Sequence, residues 1–212
     1  LQFKEIPGHQ TLKQLLTHRV KEGRVPHAQL FNGSEGSANM AIALAMAQFL
    51  QCEQPTEDDA CGKCFSCHKH KKLIHPDLHF VFPIAKTPQV GAKPTSQDFM
   101  GFWRPFLISN PYISLSDWLE TIQAENKQAN IPVEESRQII RTLSLKSYES
   151  QYKILILWLP EMMKGPAANA LLKVLEEPPP FTIFLLVGQD EKQLLTTIRS
   201  RVQMIQIPAF TD

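Results

Sequence analysis

Two uninterrupted apolar runs limit this chain more than any other feature: "KILILWL" at 153–159 and "FTIFLLV" at 181–187. A strand with one wet face alternates polar and apolar residues. These do not, so both of their faces must be covered. Between them lies "PAANALLKVLEE" (166–177), a helical pattern stopped by the triple proline 178–180. Strand, helix, strand in this order is the unit from which parallel sheets are built.

The rest of the chain repeats the alternation. Leu12, Leu15, Leu16 and Val20 mark a helix over 11–22. "AQLF" (28–31) reads as a buried strand ending at the Asn32-Gly33 turn, and "MAIALAMAQFL" (40–50) as a helix. "LHFVFP" (78–83) is a second strand, "SLSDWLETIQAENKQ" (114–128) a helix, and "PVEESRQIIRTLSLK" (132–146) another with acids in its first turn. A short helix is expected over 191–196, and "VQMIQI" (202–207) is the last strand. Five strands alternating with helices predict an α/β fold with a mostly parallel sheet. The stretch 84–130 interrupts this pattern. Its start, "AKTPQVGAKPTSQ", reads as a mobile loop. Its aromatics Phe99, Phe102, Trp103, Phe106 and Trp118 read as core packing, with a partner surface as the alternative.

The 212 residues suffice for one domain with a buried core, and the formal net charge of +1 points to neither nucleic acid nor membrane. No apolar run approaches the roughly 20 residues of a membrane span. The polar opening "LQFKEIPGHQ" has no signal-peptide core, and it begins with Leu rather than Met, as in a trimmed chain. The expectation is a soluble, cytoplasmic protein.

All four cysteines fall within 16 residues: Cys52, Cys61, Cys64 and Cys67, spaced C-x8-C-x2-C-x2-C. Four thiolates at such spacing close a tetrahedral zinc shell with no open position, so the metal would be structural. Disulfides or ordinary buried thiols are the alternatives. His68, His70 and His75 lie close enough to substitute. The run of Lys63, His68, Lys69, His70, Lys71 and Lys72 reads as a solvated helix face, with phosphate contact as the alternative.

After the first strand, "FNGSEGSANM" (31–40) has the shape of a phosphate-binding loop, with Gly33 and Gly36 before a helix N-terminus. A working loop adds Lys for the phosphates and Ser or Thr for Mg²⁺, but here Asn39 and Met40 stand in those places. One lost charge-assisted contact costs about 1.5–3 kcal/mol, a roughly 10- to 150-fold loss of affinity. Where an Asp-Glu pair would follow the strand at 153–157, the chain has Trp158 and Leu159. Glu161, two residues on, reads as a surface residue.

These segments carry a resemblance. "VPHAQLFNG", the cysteine module, "HPDL" (75–78), "KILILWLPEMMKGPAANALLKVLEEPP" and "TIRSRVQ" (197–203) are together similar to the AAA+ core of bacterial DNA polymerase III clamp-loader subunits, over most of the chain except roughly 84–130. Among them, the replacements Asn39, Met40, Trp158 and Leu159, with Gly188 or Gln189 at the sensor position, resemble the delta prime type rather than the gamma/tau motor. The resemblance implies an AAA+ P-loop NTPase-like core over 1–212, a zinc module inserted at about 51–75, an irregular insertion at about 84–130, and lid and collar domains beyond this fragment.

It also implies a function: a subunit that is not an enzyme by itself but belongs to the DNA polymerase III holoenzyme and helps load sliding clamps in DNA replication. The family's Ser-Arg-Cys motif would be Ser200-Arg201-Val202, with Arg201 reaching in trans into a neighbour's ATP site. On the residues alone, Arg201 caps a helix or pairs with an acid; Arg199 is a second candidate for the finger. Arg137 also matches a family arginine, structural or DNA-facing. The loop of Gly33, Gly36, Asn39 and Met40 is a weak or vestigial nucleotide cradle. Implied partners are gamma/tau and delta subunits, with the sliding clamp and primed DNA met through the complex, and no membrane. The alternatives are a divergent gamma/tau-like subunit with residual ATP binding or hydrolysis, or a zinc-dependent DNA-binding module.

Overall fold

The computed structural model describes residues 1–87, 90 and 93–210. Its helices and strands alternate: α1 (Gln10–Lys21), β1 (Ala28–Asn32), α2 (Asn39–Leu50), α3 (Phe65–Lys71), β2 (Leu78–Val81), α4 (Met100–Ser109), α5 (Leu115–Thr121), α6 (Val133–Ser144), β3 (Lys153–Trp158), α7 (Gly165–Glu176), β4 (Thr182–Gly188), α8 (Thr196–Arg199) and β5 (Gln203–Gln206). The strands form one sheet in the order β2-β3-β4-β1-β5. Every pairing is parallel, with Leu30 beside Leu186 and Ile156 beside Leu185. Parallel neighbours need crossovers, and the intervening helices supply them on both sheet faces.

The apolar runs divide by alternation. Ile154, Ile156 and Trp158 of β3 join Ile183, Leu185 and Val187 of β4 on the face covered by α2, α4 and α5. Leu155, Leu157, Phe184 and Leu186 join the face covered by α6 and α7. All of β3 and β4 is buried, as continuous apolar sequence requires. Helix α2 is buried along its whole length, which fits its mostly apolar composition.

Three sequence expectations need correction. The helix expected over 114–128 is only α5, because Gln123 takes a left-handed backbone (φ 56°) and ends it. The helix expected at 191–196 forms instead at 196–199. Upstream, the Asp190 carboxylate accepts the Lys192 N–H at 2.9 Å, an Asx turn that competes with helix. Residues 100–109 form α4 with Pro105 inside it, in a stretch expected to be irregular. Of the expected mobile loop over 85–97, residues 88–89 and 91–92 lie outside the described residues; a 3-10 turn spans Ser96–Phe99.

The aromatics of this stretch are mostly core. Trp103 stacks on Phe82 with ring centroids 3.9 Å apart and meets Trp118 edge-on at 5.0 Å. Phe99, Trp103 and Trp118 are buried, whereas Phe102 is exposed.

Candidate functional site

The loop between β1 and α2 turns on two glycines, and the Ser37 N–H donates to the Ser34 carbonyl at 3.0 Å. Gly36 has φ 75°, a backbone that suits glycine. Gly33 sits so tightly that a Cβ there would stand 2.4 Å from Ser37 Oγ and 2.9 Å from the Ile207 carbonyl. Asn39 is buried and its amide is engaged: Nδ2 donates to the Gly33 carbonyl at 3.2 Å and to the Gly188 carbonyl at 3.1 Å. The Asn39 side chain thus ties the loop to the end of β4. Met40, at the next position, is fully buried.

At the end of β3, Trp158 is buried and packs against Trp103 at 5.3 Å. Leu159 follows with φ 51° and turns the chain into a 3-10 turn, Pro160–Met162. This turn swings Glu161 back onto the sheet, which overturns its reading as a surface residue. Glu161 Oε1 accepts the Gln189 N–H at 2.9 Å, and its other oxygen would lie 3.3 Å from a Cβ on Gly188. Burial raises its carboxyl above the usual range, against N–H donation that lowers it.

Arg201 follows α8 at the surface. Its Nη1 donates to the Thr197 carbonyl at 2.8 Å and meets Ser200 Oγ at 3.2 Å, while Nη2 pairs with Glu176 at the end of α7. It therefore both caps its helix and pairs with an acid. Ser200 Oγ donates to the Thr197 carbonyl at 3.1 Å. Arg199 is exposed and has no side-chain partner among the described residues. Arg137 lies on the exposed side of α6. Sequence reasoning missed Glu176, since nothing in "LEEPP" ties it to Arg201, 25 residues on.

The four cysteines come together beyond the end of α2. Their sulfurs all lie within 4.8 Å of one another, and no disulfide joins them. Cys52–Cys67, Cys61–Cys67 and Cys52–Cys64 are 3.6, 3.9 and 4.0 Å apart. A tetrahedral shell with zinc–sulfur bonds of about 2.3 Å has edges of about 3.8 Å, so the donor set can hold one such ion. Backbone N–H groups of Cys61, Cys64 and Cys67 point at the sulfurs of Cys52, Cys61 and Cys64, at 3.3, 3.3 and 3.4 Å. Burial works against the Cys61 thiolate, but N–H donation from Lys63 and Cys64 prevails and holds that thiol at about 6. Burial pushes the Cys67 thiol up.

The nearby histidines serve elsewhere. His70 Nε2 meets Gln51 Oε1 at 2.7 Å, and His75 meets Glu149 at 3.3 Å. The basic run does not form one face: His70 is buried and Lys69 pairs with Glu149, while Lys63, His68, Lys71 and Lys72 are exposed.

A family model described as "DNA polymerase III, delta subunit" matches residues 8–211. The chain belongs to this family and is of the delta prime type. It is 31% identical over 181 residues to the DNA polymerase III subunit delta' of Yersinia pestis, covering 84% of this chain and 41% of that one. It is 23% identical over 210 residues to the subunit tau/gamma of Haemophilus influenzae, covering 99% of this chain and 24% of that one. The crystal structure of a DNA polymerase III gamma subunit-related protein from Thermotoga maritima superposes with TM-score 0.50 at 18% identity, over 95% of this chain and 45% of that chain. That likeness concerns the fold, an α/β sheet arrangement similar to the AAA+ clamp-loader core. The chain spans less than half the length of these relatives. No helix among its described residues is long and apolar enough to cross a membrane.

Proposed function

We propose that this chain is the core of a cytoplasmic clamp-loader subunit that does not hydrolyse ATP and supplies Arg201 to a neighbouring ATPase subunit. Its partners would be gamma/tau and delta subunits, with the sliding clamp and primed DNA engaged through the assembly. The observation that carries this reading is the engaged amide of Asn39. It bonds the carbonyls of Gly33 and Gly188 in place of a cation facing phosphate. Buried Trp158 and Leu159 at the end of β3, where two carboxylates would be needed, support it from the other side. An arginine finger in trans is worth about 10³–10⁵ in rate, and its planar fork suits phosphate oxygens. The cysteine cluster would hold a structural zinc ion, since four thiolates leave no open position for substrate.

The test is the clamp- and DNA-stimulated ATPase rate of the full-length protein, reconstituted with its cognate subunits, for wild type and Arg201→Ala. The expected result is a large loss of rate with assembly intact; an unchanged rate would sink the finger role. Glu161, turned toward Gly188 and Gln189, favours a second reading: a divergent motor with residual hydrolysis. Mg²⁺-dependent turnover by the isolated full-length protein, lost in Glu161→Gln, would establish that reading instead.

A further inference from the structure

We infer that Glu176 is a positioning residue for the Arg201 guanidinium. This rests on the proposed finger role. A free arginine side chain samples many rotamers, and a group that must meet a phosphate across a subunit boundary works best when its orientation is already fixed. Three contacts fix Arg201. The Thr197 carbonyl accepts from Nη1 at 2.8 Å, Ser200 Oγ lies 3.2 Å from the same nitrogen, and Glu176 holds Nη2. The first two come from the turn that carries the arginine. Only Glu176 comes from a different element, the last residue of α7, so it alone fixes the fork relative to the body of the domain.

The remaining donors of the five-donor fork, the Nε–H among them, are left for phosphate oxygens. Both side chains of the pair are partly exposed, at 34% and 48%, so the pair adds little to folding stability. Arg199, two residues earlier, has no such holder among the described residues.

The experiment uses the full-length protein reconstituted with its ATPase partner subunits, sliding clamp and primed DNA. It reads kcat, KM for ATP and assembly by gel filtration. Glu176→Ala is expected to lower kcat about two- to fivefold, the range of a partly exposed ion pair, with KM and assembly unchanged. Glu176→Gln, which keeps an acceptor of the same shape without the charge, should fall between, and it carries the comparison if the alanine variant assembles poorly. In an Arg201→Ala background the Glu176 substitution should have no further effect. The proposal is overturned if Arg201→Ala slows the complex while both Glu176 variants run at the wild-type rate. It is also overturned if the full Glu176 loss persists without Arg201, since Glu176 would then act only through the fold. An unchanged rate for Arg201→Ala removes the finger reading itself.

Discussion

Trp158, the last residue of β3, packs against Trp103 of α4 with ring centroids 5.3 Å apart and planes inclined by 40°. The end of this strand is core. Both tryptophans are buried, and Trp103 also stacks on Phe82. Trp103→Ala should therefore cost about 3–5 kcal/mol, the range for a large aromatic removed from a packed interior. Phe102→Ala, one residue away on the exposed side, should stay within about 1 kcal/mol. Urea unfolding of the two variants checks this. Equal losses would mean that α4 does not pack by the face described.

The loop after β1 makes a second, independent demand. A Cβ on Gly33 would fall 2.4 Å from Ser37 Oγ and 3.0 Å from Ile207 Cβ, so Gly33→Ala must move the segment just after β5 or the loop and should cost about 1–3 kcal/mol. At Gly36 a Cβ would meet nothing within 4 Å, and only the backbone (φ 75°) is unfavourable. Gly36→Ala should cost about 1 kcal/mol. Denaturation midpoints that rank the two variants the other way would contradict the close approach of Ile207 to the loop.

Metal analysis should find one zinc ion per chain, lost in Cys64→Ser. At zinc a hundredfold above the dissociation constant, binding adds about 3 kcal/mol of stability. Stripping the metal should therefore lower the unfolding midpoint and expose the 52–72 segment to protease, with the sheet still formed. The cluster sits beyond α2 and contributes no strand, which is why the damage should stay local. A chain purified without metal, and indifferent to chelator, would return the cysteines to the reading of ordinary buried thiols.

What could be read in the sequence follows from which forces leave a local signature. β3 and β4 were legible because a strand buried on both faces must be apolar throughout. The gathering of the four cysteines was legible because their spacing in the sequence is local. Helix α4 was not: "MGFWRPFLIS" carries Pro105 and no clear period, and it is held by Trp103 packing on residues distant in sequence. The turn of Glu161 toward β4 depends on the left-handed backbone of Leu159, which nothing in that side chain announces. The Arg201–Glu176 pair joins the end of α7 to the turn after α8, so neither residue alone points to the other.

His70 gives the sharpest test of how the cysteine module is seated on the core. Gln51 Nε2 donates to the carbonyls of Asp77 and Tyr152, at 3.0 and 2.7 Å, so its Oε1 is the acceptor facing His70, and His70 Nε2 must carry the proton. Burial, with His75 adding to it, pushes the His70 imidazole down to about 3. The unfolded chain binds this proton below about 6.5 and the folded chain does not. The stability His70 contributes is therefore fully present above pH 6.5 and is lost progressively as pH falls from there toward 3. Ring ¹⁵N shifts should show a neutral Nε2–H tautomer that does not titrate between pH 8 and 5. A midpoint near 6.5 would mean that water reaches the ring, and that α3 is not packed against Gln51 as described.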